Sequence, residues 1–122
     1  MHQLKTRVFH RWQKKSGITD AALLVALAEM QAGLIDADLG GGVVKKRVAL
    51  AGRGKSGGAI TLLATNKGSR WIFVYGFEKN QRANITPSEL ETIQIVADGL
   101  LALTDQEIEA AVEDGALLEI KV

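Results

Sequence analysis

Cysteine is absent, proline occurs once, and histidine occurs only at positions 2 and 10. Without cysteine there is no disulfide scaffold, no thiolate zinc site and no cysteine nucleophile, a composition that a reducing compartment permits. Two imidazoles within the first ten residues, with no acidic residue near them in sequence, argue against a metal centre, and neither metal nor cofactor is expected. No apolar run approaches the ~20 residues that span a bilayer. The opening MHQLKTRVFHRWQKK also lacks the uninterrupted apolar stretch of a secretory signal. A soluble, cytoplasmic protein that makes no membrane contact is expected.

Acidic residues are missing from one long segment. Between Leu39 and Phe77 there are seven cations (Lys45, Lys46, Arg47, Arg53, Lys55, Lys67, Arg70) and no carboxylate. The net charge of +1 conceals this asymmetry: residues 1–85 carry +9 and residues 86–122 carry −8. Such a segment can attract a polyanion, or it can be a solvated face balanced internally by the acidic C-terminal part. A chain of 122 residues with 47% hydrophobic content suits one core, so residues 1–122 are expected to form a single domain.

Local signals place the elements. Thr19 caps a helix that starts at Asp20, carries Leu23, Leu24, Leu27 and Ala28 on one stripe, and stops at Gly33. LIDADLGGG reads as a loop and VVKKRVAL as a strand. AITLLAT and RWIFVYGF, joined by NKGS, form a hairpin. TPSE opens a helix with Thr86 as N-cap, Pro87 in the first turn and Glu89 closing a capping box, and TDQE repeats the device with Thr104 and Glu107 in a helix that ends at Gly115. LLEIKV is a candidate edge strand. The order predicts an α+β fold: a small antiparallel β-sheet, its three strands in a meander, with helices packed against one side.

The stretch AGRGKSGG contains GKS, GxGxxG and GxxG at once. A P-loop needs a glycine at position 49, which is Ala49, and a helix after the loop, where AITLLAT is strand-like. The dinucleotide fingerprint at Gly52, Gly54 and Gly57 needs a following helix and a second parallel strand, and the GxxG of an RNA-binding KH loop must join two helices. What survives is a glycine-rich cationic loop with Arg53 and Lys55 open to phosphate, or a long connection with solvated charges. Strand alternation sends Trp71, Phe73, Tyr75 and Phe77 to one face, mostly core, with Tyr75 able to reach a base or a phosphate. Cations interleaved with an aromatic suit single-stranded RNA.

The blocks ADLGGGVVKKRVALAGRGKSGG, FVYGFEKNQRANIT and LLALTDQEIEAAVEDGALLEI, in this order, resemble the RelE-like toxins of type II toxin-antitoxin systems, in their HigB-like branch. The resemblance spans nearly the whole chain from FHRWQKKSGITDAAL onward. It implies the RelE-like fold and a metal-independent endoribonuclease that cuts mRNA, usually on the ribosome, and so inhibits translation. It also implies a cognate antitoxin as partner, typically a helix-turn-helix protein. Carried over by motif, Lys45 and Arg47 match the KxR block, Lys55 the GxGK block, and Lys79 with Asn80 the GFxKN block. Lys55, Arg47, Lys79 and Tyr75 are then the candidate catalytic residues, with Lys45, Lys46, Arg53, Arg70 and Asn80 as RNA contacts. Grouped cations can stabilise the pentacoordinate phosphate and shift one another's pKa values enough to move protons. After the glycine-rich block the family carries Tyr-Arg-Thr, whereas this chain has Ala59, Ile60 and Thr61. Either Arg70 or Arg53 compensates for the missing arginine, or the chain is a weak or inactive homologue that binds antitoxin or RNA.

Overall fold

The NKGS turn is organised by one side chain. Asn66 Oδ1 accepts hydrogen bonds from the backbone N–H of Gly68 and of Arg70, both at 3.0 Å, which reverses the chain between two long strands. The computed structural model describes residues 1–50 and 58–121. It runs β1 (His2–Thr6), α1 (Arg7–Ser16), α2 (Asp20–Gln31), β2 (Ala37–Gly40), β3 (Val43–Val48), β4 (Ala59–Thr65), β5 (Arg70–Glu78), α3 (Pro87–Ala102), α4 (Asp105–Asp114) and β6 (Leu117–Glu119). Among the described residues the strands form one six-stranded sheet in the order β2-β3-β4-β5-β1-β6. All neighbours are antiparallel except β1 and β5, which are parallel. This is the α+β class that the sequence implies, with β3, β4 and β5 as the expected meander.

The capping signals hold. Thr19, Thr86 and Thr104 accept from the N–H three residues on, and Glu89 and Glu107 complete both capping boxes. Gly115 ends α4 in the left-handed region at φ 82°. Elsewhere the structure departs from the sequence pattern. The first sixteen residues, left unassigned by the pattern, form β1 and α1, with Thr6 capping the helix. Part of the expected LIDADLGGG loop is β2, which pairs with β3.

The helices, expected on one side, cover both faces of the sheet. Phe9, Leu23, Leu27 and Met30 of α1 and α2 pack on Val44, Val48, Leu63, Trp71 and Phe73. Ile93, Ala97 and Ile108 of α3 and α4 pack on Leu4, Val43, Leu62, Ala64 and Ile72. Each central strand therefore buries both sets of alternating side chains, which is why AITLLAT is buried at every position.

The four aromatics of β5 do not share a face, as strict alternation would require. Leu62 pairs with Tyr75 and Leu63 with Phe73, so Val74 is an extra residue, a β-bulge. Trp71 and Phe73 face α1 and α2. Past the bulge the phase reverses, Tyr75 packs with the α3/α4 cluster, and Gly76 takes the α1 side. There the Trp12 ring lies so close that a Cβ at position 76 would meet its carbons at 2.3 to 2.7 Å. Gly76→Ala is expected to cost about 1–3 kcal/mol by overpacking. Urea unfolding should read this loss, and a second change, Trp12→Ala, should abolish the extra penalty of the alanine.

Candidate functional site

The bulge determines which side chains converge. Along β3, Val43 belongs to the α3/α4 core and Val44 to the α1/α2 core, so alternation places Lys45 and Arg47 on the α3/α4 face and Lys46 on the other. Register extends these positions into rows. Lys45 pairs with Leu62 and Leu62 with Tyr75; Arg47 pairs with Ile60 and Ile60 with Phe77. Two cations on β3 and two aromatics on β5 thus flank Leu62 and Ile60 on one face. Lys45 and Tyr75 are half-buried and Arg47 is exposed.

The connection from β5 to α3 closes over this face. Arg82 places its guanidinium carbon 5.3 Å from the Phe77 ring centroid, a cation–π contact. Its Nη1 lies 3.5 Å from Tyr75 Oη, and Tyr75 and Phe77 are 6.3 Å apart between centroids. Nη1 and Nη2 both donate to the Glu89 carboxylate, and Nε donates to the Asn84 carbonyl at 3.1 Å. Lys79 and Asn80 are exposed in the turn directly after β5, with Lys79 N–H donating to the Gly58 carbonyl at 3.1 Å. Arg53 and Lys55 lie outside the described residues, in the stretch that joins the antiparallel strands β3 and β4. An arrangement of lysine, arginines and a tyrosine hydroxyl around one sheet face can bind a phosphodiester and concentrate positive charge on it.

A family model described as the RelE toxin of the RelE / RelB toxin-antitoxin system matches residues 1–120. The chain belongs to the RelE toxin family. Toxins of this family pair with an antitoxin. A search of curated proteins finds no match. Among the described residues no helix is long and apolar enough to cross a membrane.

Two of the expected RNA contacts of this RelE-family chain sit elsewhere. Lys46 is buried on the α1/α2 face, where its ammonium donates to the Leu34 carbonyl at 2.9 Å and pairs with Glu29 at 3.0 Å. Arg70 is 6% exposed. Its Nη1 donates to the carbonyls of Leu100, Leu101 and Leu103 and its Nη2 to Asp105, which satisfies the end of α3 where no glycine cap exists. Arg70 also cannot stand in for the arginine missing at position 60. Ile60 pairs with Phe77, seven residues along β5, a separation of about 23 Å at strand spacing.

The residue overlooked in the sequence is Arg82. It follows the GFEKN block by two positions, and only the turn that brings it back over Phe77 reveals its place.

The Arg82 guanidinium, together with the Thr86 N–H, holds the Glu89 carboxyl at a pKa of about 2. A carboxyl whose folded pKa lies below its ordinary ~4.3 contributes stability that is fully present above that value and is lost as pH falls toward the folded one. Acid titration of the melting temperature is expected to show a loss between about pH 4 and pH 2. Glu89→Gln should remove part of that loss.

Proposed function

We propose that this chain is a HigB-like toxin of a type II toxin-antitoxin system and a metal-independent endoribonuclease acting in the cytoplasm on ribosome-bound mRNA, thereby inhibiting translation. Its partner on this reading is a helix-turn-helix antitoxin, and residues 1–122 act as one domain. The observation that carries the reading is the face on which Lys45, Arg47, Tyr75 and Arg82 converge. In the reaction the 2′-oxygen of the RNA attacks the adjacent phosphorus and loses its proton. The bond from phosphorus to the 5′-oxygen breaks, and that oxygen takes up a proton, leaving a cyclic phosphate and a 5′-hydroxyl. Arg47 and Lys45 stabilise the charge that builds on the phosphate oxygens. Tyr75, and Lys79 from the turn after β5, are the candidates for proton transfer.

Ile60 favours a second reading, a catalytically weak toxin that retains antitoxin or RNA binding. It is 7% exposed and occupies the position between Arg47 and Phe77 where the resemblance places an arginine. Induced expression of the chain alone should arrest growth and produce cuts in ribosome-bound mRNA, mapped by primer extension. Absence of arrest, with no recovery by Ile60→Arg, would leave only the binding module.

A further inference from the structure

An arginine fork fits the two oxygens of a carboxylate and of a phosphate equally well. In this chain the Arg82 fork is fixed on two sides. Phe77 lies beneath it, and Asn84 accepts from Nε. Its outer edge is filled by the chain's own Glu89, which takes a hydrogen bond from each terminal nitrogen. Glu89 has a separate task, because its Oε1 also accepts from the Thr86 N–H at 2.8 Å as part of the capping box of α3. That carboxylate can therefore release Arg82 and remain anchored. Both side chains are about one-third exposed, 33% for Arg82 and 35% for Glu89, so a ligand can reach the pair from solvent.

We infer that Arg82 is an RNA phosphate-binding residue masked by Glu89, whose carboxylate occupies the seat a phosphodiester takes when RNA binds. The inference rests on the reading that RNA binds this face. It gives the missing arginine a replacement from a different element: the Arg82 guanidinium lies over Phe77, the direct cross-strand neighbour of Ile60. Exchanging one anion for another leaves the local charge unchanged, so binding strength is set by the competition between Glu89 and phosphate.

A double-mutant cycle tests this, read by fluorescence anisotropy of a short fluorescein-labelled single-stranded RNA. Glutamine keeps an acceptor for the capping box, so Glu89→Gln unmasks Arg82 without removing the cap. Glu89→Gln is expected to tighten binding about tenfold, and Arg82→Ala to weaken it. In the Arg82→Ala background the gain from Glu89→Gln should disappear. In the Glu89→Gln background, Arg82→Ala should also lower the slope of log affinity against log salt by about 0.7, one phosphate contact on a single strand.

Equal tightening by Glu89→Gln with and without Arg82 would show bulk charge removal and overturn the inference. No measurable RNA binding by Glu89→Gln would overturn it as well. Should Arg82→Ala fail to fold, Arg82→Lys, which keeps the charge and loses the fork, replaces it and should retain only part of the gain. Cleavage is scored separately on programmed ribosomes. An intact cycle without cleavage keeps the masked arginine and removes the nuclease, whereas cleavage without the cycle does the reverse.

Discussion

Asp20→Ala is expected to destabilise the fold by about 3–5 kcal/mol, because it strands a buried ammonium. Lys5 is 3% exposed on β1, and its Nζ donates to Asp20 at 2.8 Å and to Gln13 at 2.7 Å. Asp20 also accepts from Gln13 Nε2 and from the Lys121 N–H, so one carboxylate ties β1, α1, α2 and the residues after β6 together. Urea unfolding at pH 7 measures the loss. Lys5→Met combined with Asp20→Ala should cost far less than Asp20→Ala alone, since no orphan charge remains. A cost below about 1 kcal/mol for the single change would mean that the pair behaves like an exposed one. Burial pushes the Asp20 carboxyl up, but hydrogen bonds from Lys5, Gln13 and the Lys121 backbone outweigh it and hold the carboxyl below its ordinary range. Its contribution is thus complete above about pH 3.9 and is lost as the pH falls through the lower folded value.

On the proposed nuclease reading, Arg47→Ala is expected to lower the cleavage rate on programmed ribosomes by about 10²- to 10³-fold, the usual cost of one charge-stabilising donor. The fold should hardly notice. The Arg47 side chain is exposed, and the contact that Asp36 makes with this residue is to its backbone N–H, at 2.7 Å. Arg47→Lys should recover part of the rate, because lysine restores the charge but not the planar fork. The neighbouring Lys46→Met is the contrasting case. It breaks the contacts with Glu29 and Leu34 on the opposite face, so its effect should appear in the melting temperature. A rate unaffected by Arg47→Ala would remove Arg47 from the site.

What could be read in advance follows from the range of each signal. Thr19, Thr86 with Glu89, and Thr104 with Glu107 act within one helical turn, so residue type and spacing were enough to place three helix starts. The hairpin at Asn66 was equally local. The N-terminal strand was not, because the partner of HQLKT is a parallel strand nearly seventy residues away, with which no short turn connects it. The bulge at Val74 belongs to a pair of strands, and nothing within RWIFVYGF alone announces it. The split of Lys45 and Arg47 from Lys46 follows from a period of two, given that both faces of β3 are covered. Arg70 and Arg82 are both arginines near β5, and composition cannot separate them. One is consumed by the end of a helix, and the other lies over an aromatic ring beside a tyrosine.

The position of β1 within the sheet sets a schedule. It precedes the other described strands in the chain, and its two neighbours are β5 and β6, the latter formed by Leu117–Glu119. At 5–20 residues per second, roughly ten seconds pass on the ribosome between the making of β1 and of β6. The sheet cannot close during that interval, and non-local pairing of this kind is slow to form even afterwards. Until Leu117–Glu119 have been made, β1 stays without its β6 neighbour, so the β1 edge of the sheet is the last to be covered.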